Sequence, residues 1–91
     1  MDDSARVTDP RAVALVDLDL RREAFPATLL RALEALGALP VGGHLEVTVS
    51  DPRSVADLPK AVREEGHVAF AAVRVPDGFR IRIQRGDSAK G

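Results

Sequence analysis

Apolar residues recur along this chain in two rhythms, one of period two and one near three and a half, and these divide it into six segments. From Ala12 to Leu20 it reads Ala-Val-Ala-Leu-Val-Asp-Leu-Asp-Leu. An apolar run passing into alternation predicts a strand buried at one end and half exposed at the other. Leu29, Leu30, Leu33, Leu36 and, one step on, Leu39 then recur at steps of three and four, with Ala32 and Ala35 between them. This predicts an amphipathic helix with Arg31 and Glu34 on its wet side. Pro26 suits the first turn, where its missing N–H costs nothing. Thr28 as N-cap would instead start the helix two residues later. Gly37 and Pro40 end it.

After Gly42-Gly43, Leu45, Val47 and Val49 alternate with Glu46 and Thr48, the mark of a half-buried strand. Ser54 and Asp57 both resemble helix caps. Pro59 in a second turn would remove a hydrogen bond. The compromise lets Ser54 cap a short turn and Asp57 cap the main helix, with Leu58 and Val62 facing the core and Gly66 stopping it. Val68 to Val75 and Phe79 to Arg85 flank Pro76-Asp77-Gly78 and predict a hairpin. In its second arm Phe79, Ile81 and Ile83 point one way, Arg80, Arg82 and Gln84 the other.

The order β-α-β-α-β-β has one physical solution: an α/β two-layer sandwich, a four-stranded mixed sheet with two helices on one face. Glu46, Thr48, Arg80 and Arg82 would then cover the open sheet face. Residues 12–85 form the single domain, with residues 1–11 a flexible N-terminal arm and residues 86–91 a flexible tail.

Composition narrows the chemistry. The 91 residues contain no cysteine, which excludes disulfides, thiolate metal sites and chemistry at a thiol. His44 and His67 are too few and too far apart to suggest a metal, and no cofactor is implied. Net charge is −1, so nothing global draws the chain to nucleic acid or anionic lipid. No apolar run approaches the ~20 residues of a membrane span, and the acidic start Met1-Asp2-Asp3-Ser4 lacks a signal-type stretch. A soluble cytoplasmic protein is expected.

Several short motifs follow one another at characteristic spacing. Asp17-Leu18-Asp19-Leu20-Arg21 closes the first strand, and Gly43 precedes the second. Asp51-Pro52, Ser54, Asp57-Leu58-Pro59 and Gly66-His67 follow in order. From about Ala12 to Arg85 this series resembles the TusA/SirA-like family of small sulfur carriers. The resemblance implies a two-layer α/β fold and a Cys-Pro-x-Pro motif opening the first helix, whose cysteine carries a persulfide. Phe25-Pro26-Ala27-Thr28 stands in that place, and the glycine of the preceding turn is absent. Phenylalanine has no nucleophile, and Thr28 has no neighbouring base to activate its hydroxyl. Sulfur transfer is therefore not expected; the resemblance then implies a protein-binding or regulatory member, its partner unidentified.

Arg21, Arg22, Phe25, Pro26 and Thr28 are the candidate binding surface. The helix N-terminus with Arg21 and Arg22 could hold a phosphate or sulfate, or the two could simply balance Asp17, Asp19 and Glu23. Phe25 either packs inward on Leu29 or Leu30 as a hydrophobic staple or stands exposed as an anchor for a partner. An alternative function is an anion- or RNA-binding module, with Arg80, Arg82 and Arg74 as a basic stripe on the open sheet face; the same stripe would equally keep that face soluble. Asp51, Pro52, Ser54, Asp57, Pro59, Gly66 and His67 read as structural, marking the fold rather than a site.

Overall fold

A computed structural model describes residues 15–87. The expected N-terminal arm, the first three residues of the expected first strand and the last four residues of the tail lie outside the described residues. The elements run β1 (Leu15–Asp19), α1 (Ala27–Gly37), β2 (His44–Val49), α2 (Pro52–Glu64), β3 (Val68–Ala69), β4 (Val73–Val75) and β5 (Gly78–Gln84). β1 pairs parallel with β2, and β5 pairs antiparallel with β2, β3 and β4. The two-layer mixed α/β sheet is as expected, but it has five strands rather than four.

The fifth strand has a local cause. Ala69 lies opposite Ile83 and Val73 opposite Arg80, so Phe70, Ala71 and Ala72 on one arm face only Ile81 and Arg82 on the other. One extra residue in an antiparallel pair is a β-bulge. It splits the first arm of the predicted hairpin into β3 and β4, and it shifts which residues face the helices. Arg74 comes to lie opposite Phe79, its guanidinium 5.9 Å from the ring centroid. It therefore leaves the face that carries Arg80 and Arg82.

Leu20, Leu45, Val47, Val49, Ile81 and Ile83 form the sheet side of the core, and Ala32, Leu36, Leu58 and Val62 the helix side. On α1 the buried line is Thr28, Ala32, Leu36. At 100° per residue these fall within an arc of about 80°, and Leu30 lies on the opposite side, 65% exposed. The leucine periodicity thus gave the right helix with its centre displaced. Of the described part of the expected first strand, Leu15 to Asp17 are exposed and Leu20 is buried, and among the described residues β1 is an edge strand of the sheet.

The second helix also differs from expectation. It is continuous from Pro52, with Asp51 as N-cap and Pro59 inside it. Pro52 at the first helical position has no N–H to lose, and Asp51 accepts from the Arg53 N–H. A strong start two turns earlier thus outweighs the bond lost at Pro59. At the far end His67 N–H donates to Val62 O, 3.1 Å, and Gly66 N–H to Arg63 O, 3.0 Å. This is the Schellman pattern, and Gly66 takes the φ of 95° it requires.

Backbones meet closely where β5 ends. A Cβ on Gly86 would lie 1.9 Å from the Gly66 carbonyl oxygen. Gly86→Ala is expected to cost about 1–3 kcal/mol, seen as a melting temperature lower by roughly 4–8 °C per kcal/mol. Gly37→Ala, with nothing within 4 Å of its Cβ, serves as the control and leaves stability unchanged or raised. Equal melting temperatures for the two variants would contradict the close contact.

Candidate functional site

β1 and β2 are parallel neighbours, so the segments leaving them emerge at the same end of the sheet. That places the start of α1 beside the start of α2. Phe25 N–H donates to Asp51 Oδ2 at 2.8 Å, and Ser54 Oγ donates to the same oxygen at 2.9 Å. Thr28 Oγ1 and Ser54 Oγ are 2.8 Å apart. Ser54 has one hydroxyl hydrogen and gives it to Asp51, so Thr28 donates to Ser54. A short relay therefore runs from Thr28 through Ser54 to Asp51, and Asp51 holds the backbone at Phe25.

These contacts change the expected division of labour. The segment from Asp51 to Ser54 does cap a helix, but it also fixes the tip at Phe25, 26 residues away. Thr28, expected at the surface or as a helix cap, is fully buried inside α1 between the helices. Pro26 takes the N-cap position, with no side-chain hydrogen bond there, and follows a cis peptide.

Phe25 is half-buried rather than either extreme. The Arg53 guanidinium lies 5.3 Å from its ring centroid, within cation–π reach. Asp57 holds that guanidinium by a 3.2 Å hydrogen bond to Nε, one helical turn on. Asp57 thus positions Arg53 instead of capping a helix. Phe25, Asp57, Lys60, Ala61 and Glu64 line a shallow depression of about 290 Å³ beside the tip.

Arg21 and Arg22 part company. Arg21 bonds Asp19 through Nε and Nη2, each at 2.8 Å, and also pairs with Asp77. This holds the Asp19 carboxyl well below its ordinary range, through the Arg21 side chain first and its backbone N–H second. Arg21 is therefore committed to the sheet end and the β4–β5 turn. Arg22 is exposed and forms no ion pair among the described residues. On the open sheet face Arg80 pairs with Asp17 and Glu46, and Arg82 with Glu46. With Arg74 on the other face, the expected basic stripe is absent.

Asp51 itself is held below the usual carboxylate range, first by the Phe25 N–H, then by the Ser54 hydroxyl and the backbone of its own helix turn. The folded value lies below the ordinary 3.8, so between the two values the unfolded chain binds a proton that the folded chain does not. Stability due to Asp51 is thus present above 3.8 and lost as pH falls through the folded value. Melting temperature should fall below about pH 4, and Asp51→Asn should flatten that acid limb while lowering the neutral plateau. An acid limb unchanged by Asp51→Asn would refute the assignment.

Gly66 and His67 are not part of this cluster, for they lie at the other end of α2, roughly 20 Å away at 1.5 Å per residue. No group of three or more His, Cys, Asp or Glu able to hold a metal occurs among the described residues. None of their helices is long and apolar enough to cross a membrane. The partnership of Asp51 and Ser54 with the tip was missed because no short-range pattern links positions 25 and 51. The parallel pairing of consecutive strands was the one signal that could have found it.

Comparison with known proteins adds two matches. The family described as Sulfurtransferase TusA matches residues 16–85. A protein of Archaeoglobus fulgidus named "Putative sulfur carrier protein" is 30% identical over 71 residues, which are 78% of this chain and 97% of that relative. No solved structure matches significantly.

Proposed function

Because the chain belongs to the TusA family of sulfur carriers, we propose that it is a non-catalytic member of that family: a cytoplasmic protein-binding or regulatory module that docks, through the surface around Phe25, on a protein of a sulfur-relay or cofactor-biosynthesis system. Residues 12–85 form its single domain. One observation supports this reading above the others. The tip of α1 is tied to the start of α2, by Asp51 on the Phe25 N–H, in a chain that has no cysteine to react. A scaffold retained without its nucleophile fits recognition better than turnover.

The surface offered is an aromatic ring with a guanidinium on it, bordered by Asp57, Lys60 and Glu64, with the exposed Arg22 three residues before it in the chain. Aromatic and arginine side chains side by side are the usual anchors of protein interfaces. Phe25→Ala and Arg22→Ala each remove part of that anchor without touching the Asp51 relay. With a purified cysteine desulfurase immobilised, the natural chain should be retained and both variants should bind about tenfold more weakly. Equal retention of all three, or of none, would count against the reading. The anion- or RNA-binding alternative has no observation in its favour: Arg21, Arg80 and Arg82 are paired with carboxylates, and Asp51 places negative charge at the start of α1.

A further inference from the structure

His67 is a conspicuous motif residue that the tip does not use. It follows the Schellman turn of α2 and is 9% exposed. Its Nδ1 accepts a hydrogen bond from the backbone N–H of Gly86, 3.2 Å away, just beyond the end of β5. Only a neutral imidazole has a lone pair at Nδ1 to accept with. At the same place the Gly66 and Gly86 backbones touch so closely that no Cβ fits between them.

We propose that His67 is an acid-sensitive latch: neutral, it holds the backbone after β5 against the turn that ends α2, and protonated, it lets that backbone go. A proton on Nδ1 would face the Gly86 N–H donor to donor, at a point where the Gly86 backbone already lies hard against the Gly66 carbonyl. The groups that bear on the imidazole are Arg85 from the end of β5 and Glu65 from the end of α2, while Val68 and Ala69 of β3 carry no charge. Burial first, and Arg85 second, hold His67 below the ordinary histidine value of 6.5, with Glu65 opposing them. In the unfolded chain the group protonates near that value. The stability it contributes is therefore complete above 6.5 and declines as pH falls through the folded value. Opening the latch costs the β5 end locally before the domain unfolds, since strand ends open with less free energy than the core.

The test is hydrogen exchange and imidazole titration by NMR on the full chain between about pH 8 and pH 5, where histidine changes charge. After correction for intrinsic exchange, Gly86 amide protection should fall about tenfold as the His67 ring protonates. His67→Gln should remove that pH dependence. Glu65→Gln, which takes away the acid favouring imidazolium, should move the midpoint to lower pH with the fold intact. Gly86 protection that is unchanged while the ring titrates would overturn the proposal. So would an equal fall in His67→Gln, or a ring that stays neutral down to about pH 5.

Discussion

Phe25→Cys should convert the chain from one that takes up no sulfur into one that carries a persulfide from a cysteine desulfurase supplied with free cysteine. The natural chain has no thiol anywhere, so its expected uptake is nil and the contrast is complete. Three features of the tip act on a thiol at position 25. The start of α1 offers orphan N–H groups and partial positive charge, which favour a thiolate. Arg53, now 5.3 Å from the Phe25 ring centroid, would bring a full positive charge near the sulfur. Asp51, bonded to the residue's own N–H, opposes both. The thiol should still react with iodoacetamide faster than a free cysteine of pKa about 8.5. Adding Asp51→Asn should move its reactivity profile to lower pH, and adding Arg53→Ala should move it to higher pH. An introduced thiol that alkylates no faster than one in an unfolded chain would show that the tip no longer activates anything. The proposed recognition role would survive that result, because it needs the tip's shape and not its chemistry.

The second large effect is expected at Ser54. Its hydroxyl is fully buried and serves as acceptor for Thr28 and donor to Asp51. Ser54→Ala leaves the Thr28 hydroxyl buried without its acceptor, an arrangement that costs about 1–3 kcal/mol. In a domain of this size that is a drop of roughly 4–8 °C in melting temperature for each kcal/mol. Thr28→Val is milder, about 0.5–1.5 kcal/mol, because Ser54 keeps its bond to Asp51 and the valine fills the same space. The double variant should be less destabilised than the sum of the two, by roughly 0.5–1 kcal/mol. Strict additivity would mean that the two hydroxyls do not share a hydrogen bond. Stability measured by urea unfolding decides between the outcomes.

The two groups of motif residues were unequally legible. Gly66 could be assigned from sequence because an α-helix that stops needs a residue tolerant of positive φ at its C′ position, and it takes 95°. The segment from Asp51 to Pro59 could be recognised but was placed wrongly. Local rules weighed Pro59 as a helix breaker, whereas α2 runs through it from Pro52. Packing decided the matter: a helix started at Asp57 would not bring Ser54, buried on the α2 face, against Thr28 of α1. Thr28 likewise reads from sequence as a surface group or a helix cap, since a hydroxyl has no hydrophobic signal. Its burial depends on a partner hydroxyl 26 residues away, on the other helix.

Periodicity and turn residues by themselves determined the two-layer α/β class, the element order up to the hairpin and the side of the sheet that faces water, and the absence of cysteine excluded chemistry at a thiol. Those properties follow from neighbours a few residues apart, because side-chain direction repeats with the local backbone. Tertiary structure alone decided that Asp51 and Ser54 hold the Phe25 tip, that a bulge turns Arg74 away from Arg80 and Arg82, and that the arginines of the open face are spent on Asp17 and Glu46. Each of these depends on pairing between distant segments, in which a shift of one residue in register changes which face a side chain occupies.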